Sequence, residues 1–229
     1  MSDLLLVIGN RNYSSWSLRA WLAMKIAGLE FAEEIIPLDL ENTKERLAKS
    51  SPAGRVPTLR VLGDGDGAPD KLVVWESLAI IEYLAETYPQ ARWWPEDANV
   101  RAVARAVSAE MHSSFATMRA QIPMNVRATG RNVPLTETSQ KNVARILKIW
   151  TDCRRQYGQG GDFLFGEICA ADAMFAPIVV RFLVYGIEMD DVTSAYADAV
   201  WNSEHMKWWR AAAEEESWTI PDEEVGLAD

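Results

Sequence analysis

The chain has 229 residues, of which 48% are hydrophobic and 24% are charged. These fractions are those of ordinary globular proteins, so the composition excludes disordered, collagen-like and fibrous classes. The 33 acidic residues outnumber the 23 basic ones and give a net charge of −10. This balance argues against binding to nucleic acid or to an anionic membrane, since both require a basic face. Only two cysteines and two histidines occur, so we expect no metal site and no disulfide framework.

The first ninety residues alternate strand and helix patterns. A continuous apolar run at residues 4–8 predicts a strand buried on both faces. Apolar residues at helical spacing follow it until Gly28, which is typical of a helix end. The pattern continues with a strand, a polar helix, two strands and an apolar helix, at residues 31–38, 41–49, 57–62, 72–75 and 77–88. The predicted order is therefore βαβαββα.

Beyond residue 89 the chain shows only helical periodicity. One apolar stripe extends over residues 100–122 up to Pro123, and further helices are predicted at residues 137–157, 172–185, 194–201 and 204–215. The sequence thus predicts a small α/β domain, a linker, an all-α domain and a loosely held acidic tail, at residues 1–89, 90–98, 99–220 and 221–229.

No segment is typical of a leader or a membrane anchor. The apolar run at residues 4–8 is too short for a signal peptide and follows an aspartate. The apolar stretch near residues 170–184 contains Asp172 and Arg181, whereas a transmembrane helix needs ~20 apolar residues. We therefore expect a cytoplasmic protein without a membrane partner.

Three serines stand between the first strand and its helix: Ser14, Ser15 and Ser17. One serine is enough to cap the free N–H groups of a helix start, a contact that contributes about 1 kcal/mol. The alternative is that a hydroxyl, aided by the positive helix end, donates a hydrogen bond to a bound anion. If this anion is a thiolate, its pKa falls below the ~8.5 of a free thiol.

Two further segments could hold a peptide-like ligand. Pro57 is either an ordinary trans proline at the start of a strand or a cis proline. A cis bond would turn the N–H and C=O of Val56 outward to pair with an added strand, and Arg55 would supply a nearby cation. Where the last strand passes into its helix, Ser77 and the amides behind it could bind a carboxylate, and Glu76 could accept from an ammonium. The alternative is that Glu76 and Ser77 only cap the start of this helix.

Taken together, these segments resemble the cytosolic glutathione transferase family. The resemblance rests on Ser-Ser-x-Ser after the first strand, Gly-Arg-Val-Pro before the third, and Glu-Ser-Leu-Ala-Ile-Ile-Glu-Tyr-Leu after the fourth. It implies a thioredoxin-like first domain with a cis proline, an all-helical glutathione-transferase second domain and a homodimer. It also implies which residues bind glutathione: Val56 and Pro57 at the cysteinyl backbone, Glu76 and Ser77 at the γ-glutamyl head, and Arg55 and Lys44 near the glycyl end.

Two short motifs of this chain resemble motifs of two different classes within the family. The pattern Ser-Ser-Trp-Ser-Leu-Arg at residues 14–19 resembles the zeta class, in which the residue at the position of Ser14 stabilises the thiolate. Ser15 and Ser17 would assist or replace it, and Trp16 stands where that class has cysteine. The pattern Glu-Met-His-Ser-Ser-Phe at residues 110–115 resembles the beta class, whose histidine contacts glutathione. A lone histidine on a helix is more often structural, but by this resemblance His112 joins the predicted glutathione site.

Two features limit the expected chemistry. Ser14 and Ser17 stand at the Cys-x-x-Cys spacing of thioredoxin-type sites, but neither carries a thiol, so disulfide exchange is disfavoured. Cys169 and Asp172 resemble the family's helix-capping box, with cysteine in place of serine or threonine. A thiol is a weak acceptor for helix amides, and Asp172 is expected to have a structural role.

The sequence therefore predicts an enzyme that ionises its co-substrate glutathione and presents the thiolate to a small apolar electrophile, as in detoxification. The expected wall of the electrophile pocket consists of Tyr13, Trp16, Phe115 and Met118. One alternative is a glutathione-dependent isomerase of the maleylacetoacetate type, which the Ser-Ser-x-Ser pattern favours. Another is a non-catalytic module that uses the same fold for protein association. A serine hydrolase is disfavoured, because the chain contains no Gly-x-Ser-x-Gly.

Overall fold

The first domain is built on a four-stranded mixed sheet. The computed structural model describes residues 3–65 and 67–226. The strands lie in the order β2-β1-β3-β4, and they are β1 (Leu4–Ile8), β2 (Ala32–Ile35), β3 (Thr58–Val61) and β4 (Leu72–Trp75). Strand β1 runs parallel to β2 and antiparallel to β3, which is antiparallel to β4. All residues of β1 except Leu5 are buried, as its continuous apolar run predicted.

Three helices complete this domain: α1 (Ser15–Ile26), α2 (Thr43–Ser50) and α3 (Ser77–Thr87). Together with the strands they give the order βαβαββα, so the predicted thioredoxin-like domain is confirmed. The limits of some elements differ from the prediction by a few residues. The second strand, for example, spans Ala32–Ile35 rather than residues 31–38.

The second domain is all-helical. Its helices are α4 (Ala98–Ser113), α5 (Ala116–Gln121), α6 (Glu137–Tyr157), α7 (Ala170–Val184), α8 (Asp191–Trp201) and α9 (Glu204–Glu214). Every residue of α7 except Leu183 is buried, so the most apolar predicted helix is the centre of this domain. It also packs along α1, whose residues are mostly buried. The two domains therefore share one continuous core. Because α1 belongs to the first domain and packs against α7 of the second, it lies at their junction.

The stripe predicted over residues 100–122 is not one helix. Helix α4 ends at Ser113, and α5 begins at Ala116 after Phe115, whose φ is 64°. A left-handed residue interrupts a right-handed helix and is uncommon for a bulky side chain. Periodicity alone therefore does not reveal this break. The predicted break at Pro123 comes only after α5 has ended.

The acidic tail is not loose over the residues that the structure describes. We call residues 221–226 the C-terminal strap; it starts with a 3-10 turn, Pro221–Glu223. Glu224 accepts hydrogen bonds from Tyr13 Oη at 2.6 Å and from Asn125 Nδ2 at 2.7 Å, and it pairs with Arg131. Opposite charge and buried hydrogen bonds thus dock a segment whose composition predicts solvation. Residues 227–229 of the predicted tail lie outside the described residues.

The two cysteines, Cys153 and Cys169, are buried and free. Burial raises the pKa of both thiols, that of Cys153 to about 12, so neither is suited to thiolate chemistry. Within residues 3–65 and 67–226, no cluster of three or more His, Cys, Asp or Glu side chains could hold a metal ion. Over the same ranges, no helix has the length and apolar character needed to cross a membrane.

Candidate active site

A cleft opens between the two domains at the start of α1. It consists of two adjoining cavities of about 460 Å³ and about 310 Å³ that share Trp16, Arg55 and Val56. The larger cavity is also lined by Tyr13, Ser14, Ser15, Leu38, Leu47, Gly54, Ala116, Arg119, Ala120, Arg181 and Glu223. The smaller cavity is also lined by Ala53, Pro57, Trp75, Glu76, His112 and Ser113. The structure therefore brings most of the predicted site residues together in one place.

Ser14 is the N-cap of α1 and lines the larger cavity. Its Oγ lies 2.7 Å from Ser17 Oγ and accepts from the Ser17 N–H at 3.4 Å. Ser17 Oγ in turn accepts from the Gly9 N–H at 3.0 Å. When Ser17 donates its hydroxyl proton to Ser14, each hydroxyl is satisfied and only the Ser14 proton lacks an acceptor. This proton is then left for a ligand at the positive end of α1.

The other two serines have different environments. Ser17 has no exposed surface and lines neither cavity. Its hydroxyl is placed to position Ser14, as the expected helper, and a catalytic role of its own stays a prediction. Ser15 lines the larger cavity, and its Oγ accepts from Arg181 Nη2 at 3.5 Å. It lies beside a cation and can still donate its own proton.

The Val56–Pro57 peptide bond is cis, as the resemblance implied. The N–H and C=O of Val56 make no hydrogen bond within the described part of the chain, and the residue lines both cavities. These groups can therefore pair with the backbone of a peptide-like ligand. Arg55 also lines both cavities, whereas Lys44 is exposed on α2 and lines neither. The structure does not bring Lys44 to the cleft, and its role stays a prediction.

The smaller cavity ends at the junction of β4 and α3. Glu76 occupies this corner with a φ of 76°, and its Oε2 lies 3.6 Å from His112 Nε2. Ser77 begins α3, has no exposed surface and lines neither cavity, and its Oγ has no hydrogen-bond partner among the described residues. An unpaired buried hydroxyl costs about 1–3 kcal/mol, so a ligand carboxylate at this helix start would supply the missing partner. Glu76 can accept from the ammonium of an amino-acid head group, and Ser77 next to it can donate to the carboxylate of the same group.

His112 lines the smaller cavity, and its ring meets Trp16 edge-on with 5.2 Å between the ring centroids. Burial lowers the pKa of His112; the carboxylate of Glu76 raises it in part, and the charges of Arg19 and Arg119 lower it further. The imidazole is therefore neutral near pH 7. Its Nδ1 is buried and has no partner among the described residues, which leaves a polar atom of this ring for a ligand or a water molecule.

Trp16 lies between two guanidinium groups. The Cζ atoms of Arg19 and Arg119 are 4.3 Å and 5.0 Å from the ring centroid. Arg19 has no exposed surface, and its Nε donates to the Met174 carbonyl at 3.0 Å. Burial lowers the pKa of Arg19, and the charges of Arg181 and Arg119 lower it further. The indole thus forms a flat wall of the cleft that is flanked by cations.

The predicted apolar wall of the electrophile pocket is only partly correct. Tyr13 and Trp16 line the larger cavity, but Phe115 and Met118 are 7% and 0% exposed and belong to the core. The left-handed backbone of Phe115 sets the direction of α5 after the break. As a result, the cavity is lined from this helix by Ala116, Arg119 and Ala120.

Two arginines of the cleft, Arg119 and Arg181, were not among the site residues predicted from the sequence. Arg181 does carry a signal, because it is a charge within an otherwise apolar helix, where an unpaired cation is costly. Arg119 carries no comparable signal. It lies on a short helix whose exposed face depends on the break at Phe115.

The C-terminal strap borders the larger cavity through Glu223. Glu224 anchors the strap. Burial by itself would raise the pKa of Glu224, but hydrogen bonds from Tyr13, Asn125 and Arg131 lower it overall. Because the pKa in the folded state is lowered, this carboxylate stabilises the docked strap above its ordinary pKa, and the contribution is lost as the pH falls.

Glu224→Gln is expected to loosen the strap, because the amide lacks the charge that pairs with Arg131 and cannot accept at both oxygens. Proteinase K should then cut residues 221–226 several-fold faster at neutral pH, as followed by mass spectrometry. Asp222→Asn is the matched control, since it changes an exposed carboxylate of the same strap. Equal cleavage of the Glu224→Gln variant and the wild type would contradict the anchoring role.

The fold and the cleft together define a class of protein. A thioredoxin-like domain with a cis proline before β3, joined to an all-helical domain that covers the start of α1, is the architecture of the glutathione transferases. The family model described as the N-terminal domain of glutathione S-transferase matches residues 13–87. A crystal structure of a glutathione transferase homolog from Burkholderia, with bound glutathione, has a TM-score of 0.68 at 23% identity and covers 94% of this chain and 100% of that one.

The sequence comparisons lead to the family itself. Glutathione S-transferase Z2 of Arabidopsis thaliana is 30% identical over 187 residues, which cover 77% of this chain and 77% of that protein. The probable maleylacetoacetate isomerase of Caenorhabditis elegans is 41% identical over 98 residues, but this match spans only 43% of this chain and 41% of that protein. The chain belongs to the glutathione S-transferase family.

Proposed function

We propose that the protein is a glutathione transferase that ionises the thiol of glutathione against Ser14 and presents the thiolate to a small electrophile in the larger cavity. The observation that carries this proposal is the hydroxyl network at the start of α1. In that network Ser17 Oγ accepts from the Gly9 N–H, and when it donates its own proton to Ser14, the Ser14 proton is left for the sulfur. The positive end of the helix favours the same ionised form.

Glutathione fits the cleft as an extended tripeptide. Its cysteinyl N–H and C=O pair with Val56, whose own backbone groups have no other partner among the described residues. Its ammonium faces Glu76 in the smaller cavity, and its γ-glutamyl carboxylate lies at the adjacent start of α3, where the Ser77 hydroxyl has no partner among the described residues. His112 borders the same end, while Arg55 is the cation for the glycyl carboxylate. The sulfur then lies near Ser14, where the two cavities adjoin.

The reaction requires no covalent bond to the protein. In a substitution, the sulfur electron pair forms a C–S bond while the leaving group departs with the electrons of the bond that breaks. In an addition, the sulfur attacks an activated double bond, and the resulting carbanion takes a proton from water. In both cases Ser14 keeps the sulfur ionised at neutral pH, and the thiol proton is lost to solvent beforehand.

Two measurements on the full chain test this function. Calorimetric titration should give saturable binding of glutathione, and conjugation of an activated chloronitrobenzene should be faster with the protein than in buffer. Absence of glutathione binding would overturn the proposal and favour the non-catalytic module. That module is disfavoured by the free backbone groups of Val56 and the unpaired hydroxyl of Ser77, which would serve no purpose without a ligand.

Replacement of Glu76 by glycine is expected to separate stability from binding. A φ of 76° favours glycine, so relief of the strain should raise the free energy of unfolding by about 1 kcal/mol after the entropy cost of glycine. Glutathione affinity should fall at least tenfold, because the ammonium loses its carboxylate. Both quantities can be measured by urea unfolding and calorimetry.

Glu76→Gln is the matched control for this substitution, since it removes the charge but keeps a side chain on the strained backbone. It should weaken glutathione binding without any gain in stability. A Glu76→Gly variant that is less stable than the Glu76→Gln variant would contradict the strain at this corner.

A second candidate function is isomerisation of the maleylacetoacetate type. It is favoured by the 41% identity to the Caenorhabditis elegans protein of that name and by the Ser-Ser-x-Ser pattern. In such a reaction glutathione adds to the substrate and later leaves, so it is not consumed. An assay with maleylacetoacetate separates the two candidates, because isomerised product with an unchanged amount of glutathione identifies the isomerase.

A homodimer and a cytoplasmic location follow from the family resemblance and belong to the proposal. Leu72 and Trp75 on the edge strand β4 are 40% and 43% exposed, which leaves apolar surface at this side of the molecule. Light scattering should give the mass of two chains, and the mass of one chain would refute the dimer.

A further inference from the structure

The larger cavity collects positive charge that the function proposed above does not use. Arg119 and Arg181 line it, and Arg19 lies behind the ring of Trp16. The hydrogen bonds of all three end on carbonyl or hydroxyl oxygens rather than on carboxylates. Burial, followed by the charge of Arg119, lowers the pKa of Arg181 to about 10. Buried cations without a counterion are costly, and a bound anion would remove that cost.

The two arginines of the cavity also have free donors. Arg181 is 4% exposed and uses three of its five N–H groups: Nε donates to the Ile122 carbonyl at 2.9 Å, Nη1 to the Pro177 carbonyl at 3.0 Å, and Nη2 to Ser15 Oγ at 3.5 Å. Among the residues that the structure describes, Arg119 uses only one, from Nη1 to the His112 carbonyl at 3.5 Å. The remaining N–H groups belong to side chains that line the cavity. Donors of this kind match the two oxygens of a carboxylate.

One carboxylate of the protein itself reaches this cavity. Glu223 of the C-terminal strap is half-buried and lines the cavity together with Arg181, but it forms no ion pair with it among the described residues. Burial raises the pKa of Glu223, and the charge of Arg181 lowers it in part. A carboxylate thus already faces the arginines without using their free donors.

We propose that the electrophile end of the cleft is a carboxylate subsite. Arg119 and Arg181 hold a carboxylate of the electrophile, with Ser15 beside it, and Glu223 is the internal carboxylate that the substrate displaces. This inference rests on the proposed glutathione-transferase function and names its substrate class. It replaces the predicted apolar electrophile with an anionic one, and it applies to a conjugated and to an isomerised substrate alike.

Two glutathione derivatives test the subsite in the full chain: S-(3-carboxypropyl)glutathione and S-butylglutathione, which differ in whether the chain ends in a carboxylate or a methyl group. Calorimetry should show that the carboxylate derivative binds at least about tenfold more tightly. Equal binding, or tighter binding of the butyl derivative, would overturn the subsite and leave the glutathione-transferase function standing. Absence of binding by both would overturn that function and the subsite with it.

Variants assign the preference to residues. Arg119→Gln should abolish most of the tenfold preference, while Arg119→Lys should keep part of it, because a charge is retained without the planar fork. Glu223→Gln should increase the preference several-fold, since it removes the competing carboxylate. In each variant, unchanged binding of S-butylglutathione shows that the glutathione site is intact. A preference that is unchanged in both Arg119→Gln and Glu223→Gln would overturn the assignment.

Discussion

Alanine in place of Ser14 is expected to raise the pKa of bound glutathione by about 1–2 units, because a charge-assisted hydrogen bond to the thiolate contributes roughly 1.5–3 kcal/mol. Turnover near pH 7 should fall about 10- to 100-fold as the ionised fraction of the thiol falls, while glutathione affinity changes little. The thiolate absorbance of the bound tripeptide, titrated between mildly acidic and alkaline pH, measures the effect directly.

The same substitution removes a helix cap, which by itself costs about 1 kcal/mol of stability. Thr136→Ala is the matched control, since Thr136 caps α6 through an N–H contact of 3.3 Å, close to the 3.4 Å of Ser14, and lines neither cavity. It should lower the free energy of unfolding by a similar amount and leave the thiol pKa unchanged. A Ser14→Ala variant with wild-type titration would eliminate Ser14 from its role, and Ser15 would then be tested.

Asp172→Ala is expected to lower the free energy of unfolding by about 2–6 kcal/mol. The Asp172 carboxylate is fully buried and accepts from the Leu164 N–H at 3.1 Å and from the Cys169 N–H at 2.8 Å. Its removal leaves two buried donors without a partner, and each costs about 1–3 kcal/mol. Urea unfolding measures the loss. Asp152→Ala, which removes an exposed ion pair with Lys148, should cost well under about 1 kcal/mol.

The pH dependence of stability gives a second test of Asp172. Burial raises its pKa from 3.8 to about 6, against the opposing hydrogen bonds from the two backbone N–H groups. An acid whose pKa is higher in the folded state destabilises the fold once it ionises. The cost is absent below about pH 4, grows as the pH rises to about 6, and reaches about 3 kcal/mol above it. The free energy of unfolding of the wild type, relative to the Asp172→Ala variant, should therefore increase as the pH is lowered from 7 to 5. A constant difference would contradict the raised pKa.

The order of elements in the first domain could be predicted because each element has its own local signal. Residues 4–8 form one continuous apolar run, and Ser77–Thr87 has an apolar stripe at helical spacing. Periodicity failed where the backbone left the regular angles. At Phe115 the apolar stripe continues through a break that only the left-handed backbone reveals. As a result Phe115 and Met118, two of the four residues expected in the pocket wall, lie in the core instead.

The choice among the serines shows the same limit at a finer scale. Ser14 and Ser17 are both hydroxyls at the start of α1, and no local pattern distinguishes them. The structure distinguishes them through Gly9, the residue after β1. Its N–H donates to Ser17 Oγ, and Ser17 has no exposed surface. Ser14 lines the larger cavity and Ser17 does not, and this difference depends on a strand and a helix being packed together.

The sequence by itself determined the two-domain architecture and the serine-rich helix start, and through the family resemblance it predicted which segments bind glutathione, because all of these are encoded within short stretches of chain. Only the tertiary structure shows which residues line the larger cavity. Arg181 meets Ser15, and Glu224 meets Tyr13, across more than half of the chain. Such contacts arise when the helical domain packs on α1, and they place cations and an acidic strap beside the cavity, where we expected an apolar wall and a loose tail.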